Sequence, residues 1–343
     1  MIRLKDIAAR SGVSVMTVSK VLRDAPDISA ATKARIRKLA DEMGYVPDSL
    51  AQGLRTRRTR LLGLVIPAIT NPIFARTALA LEDLARECGY DLILAHTHNL
   101  VDREESCVLK LLSRRVDGLF ISPVYRLGPT ASIYDEIQKN RTPTVILGQR
   151  APFCSQFPNV AVDDLPASYS VTKHLLELGH RNIAFFAGPA AAPWAQERLE
   201  GYRRALREAD LALEDRLIFS AHSSIEDGEK AALQMLQECA DVTAVQAAHD
   251  LSAIGAANVF LSQGLKIPQD ISIAGFGNIL ISENFKVPLT TIRQPKFRLG
   301  VIAMESMQKL LRGQRPEDKR LSAPIVIRAS TGPVPVRSDR NAA

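Results

Sequence analysis

Near the amino terminus, Val15, Met16, Ser19 and Lys20 are spaced to share one face of a short helix, opposite Val18, Val21 and Leu22. The second set reads as core. An outward Val-Met pair beside a lysine suits open solvent poorly but suits base-pair edges, where apolar groups touch thymine methyls and an ammonium donates to guanine O6 and N7. A second constellation lies far along the chain. Phe74, Trp194, Arg198, His249, Asp250, Gly277, Asn278 and Gln294 fall after apolar runs, at the strand ends where open parallel sheets hold ligands.

Neither set implies catalysis. The chain has no GxSxG, Walker loop or HExxH, and no GxGxxG after a strand, so an enzyme is not expected. Cys88, Cys107, Cys154 and Cys239 form no CxxC pair, and His96 and His98 have no carboxylate or thiol partner at ligand spacing. No metal, cofactor or disulfide framework is expected.

The elements that position the first set are three helices. Leu4, Ile7 and Ala8 mark one helix, and Gly12 supplies the positive φ of a tight turn. Ser14 caps the second helix by accepting from Met16 or Thr17, and Ser29 opens a third whose inward stripe is Ile36, Leu39, Ala40 and Met43, with Gly44 as its stop. Charge agrees with this reading. Residues 1–60 hold 13 basic and 6 acidic residues, a net +7, so the other 283 carry 31 of each. A solvated basic arm would show the same excess, but the helical periodicity favours a phosphate-binding headpiece.

The run LKDIAARSGVSVMTVSKVL, then ISAATKARIRKLADEMGYVPDSLAQGLRT and RRTRLLGLVIPAITNPIFA, resembles the LacI/GalR family of bacterial repressors. The resemblance implies that the second helix reads the operator, with base contacts at Val15, Met16 and Lys20 and with Thr17 and Ser19 near phosphates. Pro47–Arg55 has a helix start and a Leu50, Ala51, Leu54 stripe, yet is too short to be helical alone. In the family such a hinge pairs with its dimer mate in the minor groove, which implies roles for Ala51, Gln52, Leu54 and Arg55, with Leu54 as the wedge. Gln52 stands where an arginine is usual, and Gly53 lowers helix propensity by up to about 1 kcal/mol. A plain linker is the alternative.

From Leu61, apolar runs alternate with amphipathic segments, and the pattern restarts after Val160, which predicts an α/β core of two doubly wound parallel-sheet subdomains behind a small all-α headpiece. The resemblance extends this to a type I periplasmic-binding-protein-like core whose chain crosses three times between subdomains. The expected organisation is a headpiece at 1–46 and a hinge with linker at 47–60. One subdomain then takes 61–162 with 292–322, the other 163–291 with 323–332, and 333–343 is a disordered tail.

Arg198, His249, Asp250 and Gln294 align with effector contacts in the family, and Phe74, Trp194 and Asn278 complete the expected effector set. For Arg198 the competing reading is a surface arginine, and for Trp194 an exposed loop anchor rather than a sugar platform. Many members carry aspartates where this chain has Gly148 and Gly277, so the cleft is expected to lean neutral or positive and to take an anionic carbohydrate, a sugar acid or sugar phosphate, with Arg198 as its partner.

One headpiece covers half an operator, so a homodimer on palindromic double-stranded DNA is expected. After Ser330 only TGPVPVRSDRNAA follows, which leaves no leucine-heptad helix for tetramers. With no apolar run near the roughly 20 residues of a membrane span and no signal sequence after Met1, a cytoplasmic protein without membrane contact is expected. Two other readings stand beside this one: control by a protein co-regulator, and a sugar-binding protein without a regulatory role.

Overall fold

The computed structural model describes residues 2–45 and 58–335. The expected hinge residues Ala51, Gln52, Leu54 and Arg55 lie outside the described residues, as does the end of the expected tail. Two compact units divide at Thr59 and Arg60.

The first unit is built from α1 (Leu4–Ser11), α2 (Val15–Leu22) and α3 (Ala30–Glu42). Gly12 ends α1 at φ 71°, a conformation that costs glycine no Cβ clash. Ser14 Oγ accepts from the Thr17 amide at 3.1 Å and Ser29 Oγ from the Thr32 amide at 3.3 Å, satisfying donors that each helix start leaves open. Ile7, Ala8, Val18, Val21, Ile36 and Ala40 form the buried centre, with Leu4, Leu22, Leu39 and Met43 half-buried around it.

The second unit runs β1 (Leu61–Ile66), α4 (Pro72–Glu87), β2 (Asp91–His96), α5 (Val101–Ser113), β3 (Gly118–Ile121), α6 (Ser132–Lys139), β4 (Thr144–Leu147) and β5 (Asn159–Val162). It continues through α7 (Asp164–Glu177), β6 (Ile183–Ala187), α8 (Pro193–Glu208), β7 (Ile218–Ser220), α9 (Ile225–Glu238), β8 (Ala244–Ala247), α10 (Asp250–Ser262), β9 (Ser272–Phe276), α11 (Leu280–Asn284) and β10 (Thr290–Ile292). α12 (Lys296–Leu311), β11 (Lys319–Leu321) and β12 (Ile325–Val326) complete it. One sheet has the order β11-β5-β4-β3-β1-β2 and the other β12-β10-β9-β8-β6-β7. Among the described residues every strand pairing is parallel except β10 with β12.

β3, β4, β5, β8 and β9 are buried along their whole length, as strands covered by helices on both faces must be. The chain passes from one sheet to the other after β5, returns after β10 and crosses again after β11. Val334, in the expected tail, donates its amide to the Leu178 carbonyl at 3.0 Å, so ordered structure reaches past 332.

Candidate nucleic-acid interface and ligand cleft

On α2 the two faces separate by burial. Val18 and Val21 are fully buried, while Met16 is 65% exposed and Val15 45%. Thr17 Oγ1 meets Ser14 Oγ at 2.9 Å, and the Ser19 carbonyl accepts from Arg23 Nε at 2.9 Å. The Lys20 ammonium pairs with Asp27 and holds that carboxyl below its ordinary value. This pair is exposed, so a phosphate or a base edge can replace the carboxylate at little cost. α2 therefore presents a rim of apolar and donor groups on a buried foundation.

In the second unit, the carboxyl ends of both sheets border a cleft of about 570 Å³. Phe74, Trp194, Arg198, His249 and Gln294 line it, carried there by α4, α8, the β8–α10 junction and the segment after β10. Arg198 is only 3% exposed and is held on every side. Its Nε and Nη2 donate to Asp164 Oδ1 at 2.8 and 2.7 Å, and Nη1 donates to the Ala248 carbonyl at 2.5 Å. Its guanidinium carbon lies 4.7 Å from the Trp194 ring centroid and 3.6 Å from that of Phe276, so two aromatic faces hold the cation.

Burial pushes the Asp164 carboxyl above its ordinary value, against the pull of the Arg198 charge. Its second oxygen accepts from Gln149 Nε2 at 3.0 Å, and the Gln149 carbonyl accepts from Tyr125 Oη at 2.7 Å. Gln149 follows β4 of one sheet and Asp164 opens α7 beside the other, so this chain of bonds spans the cleft floor. Arg198 is thus already paired with a carboxylate inside the protein, whereas the expectation drawn from Gly148 and Gly277 left it free for an anionic ligand. Those glycines adopt φ 112° and 144°, where an aspartate would be strained, and a Cβ on Gly277 would stand 3.2 Å from Asp250 Oδ2.

His249 packs edge-on against Trp194 with centroids 4.8 Å apart. Burial, and then the Arg198 charge, hold it well below the ordinary histidine range, so the imidazole is neutral. Its Nε2 and the Oε1 of Gln294 are buried with no hydrogen-bond partner in the protein. Buried polar groups are usually paired, so these two atoms are open to a polar ligand in the cleft; His96 Nε2 and Glu197 Oε2, which are also without a partner, do not line it.

Asp250 and Asn278 belong elsewhere. Asp250 is 1% exposed and accepts from the Ile279 amide at 2.9 Å, from Ser282 Oγ at 2.7 Å and from Thr291 Oγ1, tying α10 to the loop after β9. Asn278 Oδ1 accepts from Arg328 at 2.7 Å. Neither lines the cleft, and both hold its frame. Asp164, Gln149, Tyr125 and Asp227 do line it and were missed. Asp164 had a sequence signal, as one of two aspartates between an apolar run and a helix, and Gln149 and Tyr125 each follow an apolar run.

Residues 3–48 match the model for bacterial regulatory proteins of the lacI family, and residues 172–331 match that of the periplasmic binding protein-like domain. The HTH-type transcriptional repressor CytR of Escherichia coli K12 is 32% identical over 334 residues, spanning 97% of this chain and 97% of its own length. The lac repressor dimer, solved bound to operator and the anti-inducer ONPF, shares 27% identity at a TM-score of 0.85, covering 96% of this chain and 99% of that one. The regulator CelR in its cellobiose complex gives 27% and 0.74, covering 96% and 100%.

Proposed function

The chain belongs to the lacI family of bacterial regulatory proteins and is a DNA-binding transcriptional regulator, not an enzyme; from that premise we propose that it is a cytoplasmic repressor released or engaged by a carbohydrate in the cleft. The single observation that carries the effector half of this reading is the pair of unpartnered buried atoms, His249 Nε2 and Gln294 Oε1, beside a cross-braced Arg198. They suit hydroxyl partners, and the similar regulator CelR was solved as a cellobiose complex. Among the described residues no helix is long and apolar enough to cross a membrane.

In this reading Val15, Met16 and Lys20 contact bases, and Thr17 and Ser19 approach phosphates. Ala51, Gln52, Leu54 and Arg55 form the hinge in the minor groove. Two copies bind a palindrome, each supplying one half-site. Residues 61–162 with 292–322, and 163–291 with 323–332, act as the two jaws of the cleft. Ligand closure changes the separation of the paired hinges, so effector and operator alter each other's affinity by the same factor.

The test is fluorescence anisotropy of the full chain on duplexes from the DNA flanking its own gene, with and without a panel of sugars. Salt-resistant preference for one palindrome, altered by one sugar, is the expected result. Equal affinity for all duplexes of one length would overturn the proposal.

A further inference from the structure

Arg198 is the only lysine or arginine among the described residues that line the cleft, whereas two acids, Asp164 and Asp227, line it. Of the five N–H donors of a guanidinium, three are engaged by Asp164 and the Ala248 carbonyl. Asp164 in turn spends one oxygen on Arg198 and the other on Gln149. Arg198 and Asp164 are each 3% exposed, so the ion pair is out of water and its field is weakly screened.

We propose that Asp164 is a resident counter-ion that makes the cleft selective for uncharged, hydroxyl-bearing ligands and turns anionic ones away, an inference that rests on the cleft being the effector site. An anion at Arg198 either displaces Asp164, leaving a buried carboxylate without its cation, or sits beside it as a second negative charge; both are unfavourable in a buried site. An uncharged ligand meets neither obstacle. Two guanidinium N–H groups remain for hydroxyl oxygens, Gln294 Oε1 accepts from a hydroxyl, and the neutral imidazole of His249 offers its Nε2. Asp227, at the start of α9, adds negative charge on the same wall.

The experiment titrates sulfate into the full-length protein, Asp164→Asn and the double variant Asp164→Asn/Arg198→Gln. Calorimetry is read together with the fluorescence of Trp194, the chain's single tryptophan, 4.7 Å from the guanidinium carbon. Asp164→Asn is expected to bind sulfate at least about tenfold more tightly than the unmodified protein, and the double variant to lose that gain. Equal sulfate binding by the unmodified protein and Asp164→Asn overturns the proposal, as does a gain in Asp164→Asn that the double variant keeps.

A second measurement needs no variant. The unmodified protein is titrated with matched pairs, glucose with glucuronate, galactose with galacturonate and ribose with ribose 5-phosphate. Tighter binding of an uncharged member supports the proposal, and tighter binding of its acidic partner overturns it. Silence from every sugar counts against the cleft as a carbohydrate site, while the sulfate titration still decides the role of Asp164.

Discussion

Arg198 and Asp164 form a unit that neither residue can leave alone. Arg198→Met strands a buried carboxylate and is expected to cost about 3–5 kcal/mol, while adding Asp164→Asn removes the stranded charge and restores part of that loss; urea denaturation of the two singles and the double closes the cycle. The sign of the pH dependence follows from linkage. Burial raises the Asp164 carboxyl in the folded state, so the fold binds the extra proton and the Arg198→Met variant gains stability as pH falls toward the unfolded carboxyl's value. At the headpiece, Met16 is exposed and makes no contribution to the buried centre. Met16→Ala is therefore expected to weaken operator binding about tenfold, with nonspecific affinity and the salt slope unchanged in anisotropy titrations.

Helices set the cleft's second wall by lying unusually close. A Cβ on Gly255 of α10 would stand 2.0 Å from the Ile225 carbonyl of α9, and one on Gly228 of α9 would stand 2.1 Å from the Ser252 carbonyl of α10. Ser224 and Asp227 at the start of α9 and His249 before α10 reach the cleft from this crossing. Gly255→Ala meets backbone rather than a movable side chain, and guanidinium unfolding is expected to show a loss of about 3 kcal/mol or more. A different link joins the two sheets' subdomains. Lys296, on α12, donates to the carbonyls of Gly277 at 2.5 Å and Asn278 at 2.9 Å beyond β9, while Thr77 Oγ1 of α4 donates to the Lys296 carbonyl at 3.1 Å. Burial lowers the Lys296 ammonium to about 8, with Asp250 opposing and Arg76 and Arg293 assisting. The unfolded chain then holds the extra proton between that value and the ordinary lysine value of about 10.4. Stability should rise with pH across that window, and Lys296→Met should flatten the rise in thermal unfolding.

At the scale of the whole molecule, the proposed control runs through the expected hinge, residues 47–60. The proposed wedge gives a clean separation of outcomes. Leu54→Ala is expected to weaken operator affinity strongly while leaving nonspecific binding nearly intact; equal loss on both DNAs would make the hinge a linker only. If the proposed coupling passes through hinge pairing, a cleft-binding sugar should shift operator affinity in the unmodified protein and not in this variant.

The sequence by itself determined the family, the headpiece helices with their caps, and the alternation of strands and helices in the core, because these rest on spacing and local hydrogen bonding that survive without tertiary context. Of the seven residues expected in the cleft, Phe74, Trp194, Arg198, His249 and Gln294 line it, on the helices and loops that follow the strands. The sequence did not disclose α6, β7 or β11; the Lys-Arg-Leu of β11 has no apolar pattern, since an edge strand needs only a backbone partner, here β5. The charge of the cleft was decided by tertiary structure alone. Asp164 and Arg198 are 34 residues apart and meet only because α7 and α8 pack together, and their meeting turns the cation expected to seek an anionic ligand into half of an internal pair.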